Sequence, residues 1–132
     1  AMAHRVGANN DAHRNLRRVT PAEAEHEVLE AHRTLAEVLE HPVRDVAWAF
    51  GRVDTVTPAA LALMRERFGR VYSSVRGLNV AGITPAVLLR DPVGVGDVRP
   101  FRAACVRGAL DHRYVMARAQ LARLAGRLPP PV

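Results

Sequence analysis

The stretch DVRPFRAACVRGALDHRYVMARAQLARLAGRL, residues 97–128, decides the fold that we predict for this chain. It stays compatible with a helix for about 28 residues, which at roughly 1.5 Å per residue is a rod of about 43 Å. One apolar face holds Ala103, Val106, Leu110, Tyr114, Ala117, Leu121, Leu124 and Leu128, and another holds Phe101, Cys105, Gly108, His112, Val115, Ala119, Ala122 and Gly126. Because a helix that is apolar on two sides normally packs on two sides, we predict a long central C-terminal helix.

Three Thr-Pro-Ala segments indicate helix starts elsewhere in the chain. Threonine can cap a helix and proline suits its first position, and Glu23 completes a capping box after Thr20. The first predicted helix runs from this cap to about Glu40. A second long helix is predicted from Thr57 to Leu78, and two short ones over 43–50 and 84–90. The apolar residues of the second long helix alternate in steps of three and four, at Leu61, Met64, Phe68, Val71, Val75 and Leu78.

No stretch alternates with a period of two over the length of a strand, apart from a short link at 77–83. The predicted class is therefore all-α, a small helical bundle of three longer and two short helices. A chain of 132 residues fits a single domain. We place that domain at residues 20–128, after a flexible basic arm at 1–19 and before a Pro-rich tail at 129–132.

The formal net charge of +6 comes from nineteen arginines, with no lysine. Arginine suits anionic partners, but GC-rich codon usage explains the same composition, and both interpretations stay open. The single cysteine fits a reducing compartment. No apolar run approaches the roughly 20 residues that span a bilayer, and the N-terminus lacks the apolar region of a signal peptide. We expect a cytoplasmic protein with no membrane partner.

The only tryptophan lies between two arginines at helical spacing. On a helix over 43–50, Arg44 and Arg52 would lie one turn before and after Trp48 on the same side. Tryptophan and arginine dominate interface hot spots, and such a trio could also stack on an unpaired base. The alternative is that Trp48 packs under the N-terminal arm or against the long helix, with the arginine stems covering it. Of the two interpretations, we predict the first, a partner-binding group that consists of Arg44, Trp48 and Arg52.

Histidines and tyrosines on the apolar faces suggest a pocket between helices. His32, Tyr72, His112 and Tyr114 would border it, and a buried histidine could act as acid or base. The plainer interpretation is a hydrogen-bonded core histidine. A Glu-x-x-His segment at 23–26 has the spacing of di-iron bundles, but the second such pair that those sites need is missing. We predict no catalytic residues, no metal ligands and no cofactor.

The favoured function is a non-enzymatic interaction module that associates with itself through the long C-terminal helix. The first helix would span only about 30 Å, so one end of the longer rod would lack a partner in its own chain. Leu121, Leu124 and Leu128 lie at that end, and an exposed leucine stripe is a binding surface. We expect a homo-oligomer, with a dimer as first choice, and another protein as a second possible partner.

Two alternatives stay open. A nucleic-acid-binding regulator would use Arg14, Arg17 and Arg18 of the arm together with the arginine-rich helices, and its affinity would fall steeply with salt. A small helical enzyme or ligand carrier would use an apolar pocket near His32 and His112. The enzyme is the less favoured of these possibilities because the sequence has no paired catalytic groups at a diagnostic spacing.

Overall fold

Three short parallel strands form a sheet in the order in which they follow one another in the chain. A computed structural model describes residues 5–79 and 87–126. Gly7 pairs with Asp45, which pairs in turn with Arg70, and Tyr72 forms a further parallel bridge with Leu88. The described elements are β1 (Gly7–Ala8), α1 (Pro21–Leu39), β2 (Asp45–Ala47), α2 (Pro58–Arg67), β3 (Arg70–Tyr72), α3 (Arg99–Val106) and α4 (Val115–Ala125), with 3-10 turns at Val53–Thr55 and Asp111–Tyr114.

The prediction of an all-α bundle is wrong, because the chain is a mixed α/β protein. The sequence pattern did not predict the strands because each is only two or three residues long, which is too short to show a period of two. The short helix predicted over 43–50 is β2 followed by a turn. Of the short helix predicted over 84–90, residues 84–86 lie outside the described residues. The rest is extended, since the Leu88 N–H donates to the carbonyl of Val71 at 2.8 Å.

The start of α1 is confirmed, and it has the capping box that the sequence predicts. The Glu23 N–H donates to the Thr20 hydroxyl at 3.3 Å, and the Thr20 N–H donates to the Glu23 carboxylate at 2.8 Å. These two bonds satisfy backbone donors that the first turn of a helix leaves unpaired. The helix ends at Glu40, which takes a left-handed conformation with φ 55°.

The helix predicted from Thr57 to Leu78 begins as expected but ends at Arg67. The Thr57 side chain accepts from the Ala60 N–H at 3.2 Å. The backbone becomes extended at Phe68, and the N–H groups of Gly69 and Arg70 both donate to the Arg44 carbonyl, at 2.9 and 3.1 Å. The apolar repeat therefore continues through a helix, a turn and a strand, and it reports burial rather than one continuous helix.

The rod predicted over 97–128 is two helices. After α3, Gly108 takes φ 67°, a left-handed conformation that favours glycine. The Ala109 N–H donates to the Ala104 carbonyl at 2.9 Å and the Gly108 N–H to the Cys105 carbonyl at 3.0 Å, which is a Schellman motif. This motif ends α3, and the 3-10 turn then leads into α4. We call residues 98–126 the C-terminal lobe.

The core lies between the sheet and the helices. Right-handed crossovers between sequential parallel strands put their helices on one face. In agreement, α1 and α2 pack on each other and share one buried cluster with the strands, to which Leu121 of α4 adds. The arm predicted as flexible is part of the fold over residues 5–19, since it contains β1 and the fully buried Leu16. Among the described residues, no helix has both the length and the apolar character to cross a membrane.

Candidate ligand-binding edge of the sheet

The loops that follow the three strands meet at one edge of the sheet. Because the strands are parallel, their carboxyl ends lie side by side, and such edges are where α/β proteins bind ligands. Residues 9–14 follow β1, residues 48–56 follow β2 and residues 73–76 follow β3. We call this the carboxyl edge.

The backbone at the carboxyl edge contains a cluster of left-handed residues. The φ angles are 51° at Asn10, 55° at His13, 65° at Phe50 and 64° at Gly51. A left-handed conformation costs roughly 1–2 kcal/mol at a residue with a side chain, and such strain tends to occur at functional sites. Phe50 is also 54% exposed, with its ring centroid 5.0 Å from that of His13.

A tight turn after β2 produces this conformation at Phe50. The Gly51 N–H donates to the Trp48 carbonyl at 3.1 Å, which closes a four-residue turn. The buried Asn10 side chain links this turn to the first loop, because it accepts from the Ala49 N–H at 3.4 Å and donates to the Arg14 carbonyl at 3.0 Å. The loops after β1 and β2 are thus held against each other.

Glu27 of α1 holds the loop after β1 in place. Its carboxylate is buried and accepts from the N–H groups of Ala12 and Arg14, at 3.1 and 3.4 Å. Its backbone carbonyl accepts from the Asp11 N–H at 2.9 Å. A buried carboxylate requires such donors, so the loop and the helix depend on each other.

A groove of about 450 Å³ opens at the carboxyl edge between the loops after β2 and β3 and the start of α4. This volume is within the range of pockets that bind small molecules. We call it the edge groove. Its lining combines charged ends with apolar walls, and consists of Arg52, Val53, Asp54, Ser74, Val75, Arg76, Tyr114, Ala117 and Gln120.

The charged groups of the edge groove are already paired. Arg52 donates two hydrogen bonds to Asp54, at 2.9 and 2.6 Å, and these bonds hold the pKa of the Asp54 carboxyl below its usual range. Arg76 donates to the Tyr114 hydroxyl at 2.6 Å and lies 3.2 Å from an Asp91 oxygen. The Arg76 Nε makes no hydrogen bond among the described residues, so the pair with Asp91 is an ionic contact. The hydrogen bond with Tyr114, and then Asp91, raise the pKa of Arg76.

Gly51 positions Ser74 in the edge groove. The Ser74 N–H donates to the Gly51 carbonyl at 2.8 Å. A Cβ atom at Gly51 would overlap the Ser74 hydroxyl and lie 2.5 Å from its backbone nitrogen. Only glycine therefore allows this approach. Within the described part of the chain, neither the Ser74 hydroxyl nor the Gln120 amide makes a hydrogen bond, so both are available to a ligand.

The trio predicted from the tryptophan does not share a surface. Trp48 is 1% exposed, and its indole N–H donates to the Arg52 carbonyl and the Thr55 hydroxyl, both at 3.1 Å. Arg44 is exposed, and its carbonyl caps the start of β3. The indole is thus part of the core.

The leucines predicted for self-association lie largely within their own chain. Leu121 is 4% exposed, and Leu124 is partly buried against the same core. Leu128 is outside the described residues. Of the arginines predicted to contact nucleic acid, Arg14 pairs with Glu23 at 3.0 Å, whereas Arg17 and Arg18 are exposed.

The four residues predicted to border one pocket lie in separate places. His32 packs edge-on against Phe68, with ring centroids 5.0 Å apart. Tyr72 lies on β3 beneath the Arg90 guanidinium, and His112 is exposed on the 3-10 turn. Of these four, Tyr114 lines the edge groove.

Arg52, which was predicted to bind a partner, lines the edge groove with it, but sequence reasoning missed Ser74, Arg76 and Gln120. Ser74 and Arg76 were assigned to a helix, and one signal argued against this: two consecutive residues between Val71 and Val75 are serines, Ser73 and Ser74, which are poor helix formers. Nothing in the sequence marked Gln120. Among the described residues, no cluster of three or more histidine, cysteine or acidic side chains could hold a metal ion.

Comparisons with protein-family models, with curated proteins and with solved structures gave no match to this chain.

Proposed function

We propose that this chain is a ligand-binding α/β domain that holds a small polar molecule in the edge groove. The observation that carries the proposal is the position of the groove, at the carboxyl ends of β2 and β3 and beside the left-handed turn at Phe50 and Gly51. Parallel α/β sheets bind their ligands at this edge because the loops that diverge there leave a crevice.

The lining indicates the kind of molecule. Val53, Val75 and Ala117 supply apolar surface, while the Ser74 hydroxyl and the Gln120 amide can each donate and accept hydrogen bonds. A ligand with a short apolar middle and uncharged polar groups fits this arrangement best, since the charged side chains of the groove are paired with one another or with Asp91.

Binding can be tested with ¹⁵N-labelled protein and a library of small amides and alcohols. We expect ligands to shift the amide resonances of residues 52–54, 74–76 and 120. Ser74→Trp, which fills the groove, should abolish these shifts. Thr34→Trp places the same side chain at an exposed position of α1 and should leave them unchanged. Shifts that persist in Ser74→Trp, or no shifts at the groove with any compound, would contradict the proposal.

A further inference from the structure

The excess charge of the molecule is confined to its C-terminal part. Residues 1–97 contain twelve arginines and twelve acidic residues, so they are formally neutral. Residues 98–132 contain seven arginines and one acidic residue, Asp111, and therefore carry the whole net charge of +6. This partition concentrates positive charge on the C-terminal lobe.

Ion pairing makes the contrast sharper. At least six of the twelve arginines of the neutral part pair with acids, as in Arg33 with Glu30 and Arg70 with Asp45. In the lobe, Asp111 pairs with Arg118 at 2.7 Å. The other lobe arginines that the structure describes are exposed and form no ion pair within the described ranges: Arg99, Arg102, Arg107, Arg113 and Arg123.

Large aliphatic side chains are exposed on the same lobe. Val106 is 74% and Met116 71% exposed, and Val98 and Val115 are also exposed. Isolated exposed apolar residues are ordinary, but here two of them directly precede unpaired arginines in the chain, Val98 before Arg99 and Val106 before Arg107. The outward face of α3 carries Arg99, Arg102 and Val106 at helical spacing, whereas Cys105 faces inward. On α4, Met116 and Arg123 lie opposite the buried Leu121.

We propose that the C-terminal lobe docks on surfaces of anionic lipid, which replaces the sequence-based expectation of no membrane partner. Guanidinium groups bind lipid phosphates, and aliphatic side chains beside them enter the boundary between headgroups and acyl chains. The phosphate backbone of a nucleic acid offers no apolar environment in which exposed valine and methionine side chains could be buried. Of the lobe aromatics that could stack on bases, Phe101 and Tyr114 are half-buried and engaged by the Arg76 guanidinium, which leaves His112 as the exposed one.

The test is flotation of the full chain with phosphatidylglycerol vesicles and, in parallel, with phosphatidylcholine vesicles. We expect binding to the anionic vesicles alone, weakening between 0.1 and 0.5 M salt because exposed charges are screened. Neutralising two lobe charges, as Arg102→Gln with Arg107→Gln, should weaken binding about 30-fold. Replacing Val106→Ser with Met116→Ser should weaken it about ten-fold, since the aliphatic contribution is lost.

The matched control is Arg17→Gln with Arg18→Gln, which removes the same charge from exposed positions outside the lobe. It should change binding less than three-fold, and circular dichroism should show all variants folded. The inference is overturned if the anionic vesicles are not bound at low salt, or if this control loses as much affinity as the lobe variant. It is also overturned if a 20-base-pair DNA duplex is bound in preference to the vesicles and the serine variant binds that duplex as the parent does.

Discussion

In the body of the molecule, the described residues before the C-terminal lobe, every strand and both helices place side chains in one buried cluster. In the lobe, α4 contributes Leu121 and Ala125 to that cluster, while α3 buries only Cys105 and lies outside it. Stability is not uniform where buried apolar contacts are so unequal, and the region with fewer opens at lower free energy. The body thus specifies the fold, and the lobe supplies a charged surface that can change without endangering the core.

The largest loss of stability is expected from a substitution that creates a cavity in the body. Leu61 of α2 is completely buried, and Leu61→Ala should lower the free energy of unfolding by about 2–5 kcal/mol, because it loses apolar burial and leaves a void. Urea denaturation followed by circular dichroism measures this. A loss below 1 kcal/mol would mean that the cluster does not dominate the stability.

A second change tests the strained turn at the carboxyl edge. Gly51→Ala should cost about 2 kcal/mol, since alanine disfavours φ 64° and its Cβ would collide with Ser74. The variant should also lose the groove resonance shifts expected on ligand binding. Gly96→Ala is the control, because a Cβ there meets nothing within 4 Å.

The link between body and lobe is the subject of a third prediction. Arg76 contacts Tyr114 and Phe101 of the lobe, and Arg76→Met should destabilise the fold by about 1–2 kcal/mol, because it leaves Asp91 without its cation. Hydrogen exchange should accelerate over 99–114 more than over α1. Arg52→Met, which breaks an exposed pair, should leave the free energy of unfolding almost unchanged. Equal acceleration throughout the chain would show that the lobe does not open separately.

A smaller effect is expected from pH at the start of α1. The backbone N–H and hydroxyl of Thr20, and then Arg14, lower the pKa of Glu23 from 4.5 to about 2. Since the folded-state value lies below the unfolded one, this stabilisation is present above pH 4.5 and is lost as the pH falls towards 2. Glu23→Gln should therefore flatten the dependence of unfolding free energy on pH in this window. Glu25→Gln, at an exposed neighbouring position, should follow the parent protein.

The smallest effect should come from the surface of the lobe. Val106→Ser is expected to change the free energy of unfolding by no more than about 0.5 kcal/mol, because this side chain is mostly in solvent. Thermal and urea denaturation both measure it. A loss above 1 kcal/mol would mean that α3 contributes to stability more than its burial indicates.

Sequence reasoning found what local chemistry encodes. Thr20 and Thr57 were correctly predicted as caps because capping depends on residues within one turn of each other. The repeat from Leu61 to Leu78 correctly predicted the buried residues as far as Val75, whereas Leu78 is 42% exposed, and it failed to predict their conformation. Strand pairing joins residues far apart in sequence, as Asp45 joins Arg70, and no local pattern contains that information.

The candidate site was even harder to predict from the sequence than the fold. The edge groove joins residues from the loops after β2 and β3 with α4, and it exists only once the sheet has formed. Gly108 offered a usable signal, since a glycine inside a predicted 28-residue helix lowers the confidence in that helix. Trp48 offered a misleading one. Its neighbouring arginines suggested a surface, although its indole has hydrogen-bond partners within the core.

The order of the strands has a consequence for how this protein can change over evolutionary time. The loops after successive strands emerge at one edge of the sheet. The buried cluster that stabilises the sheet lies between the sheet and the helices. Under the proposed function, substitutions at the exposed Arg52, Ser74 and Gln120 would therefore alter which ligand is bound without removing a buried side chain. A combinatorial library at these three positions would sample new specificities on an unchanged scaffold.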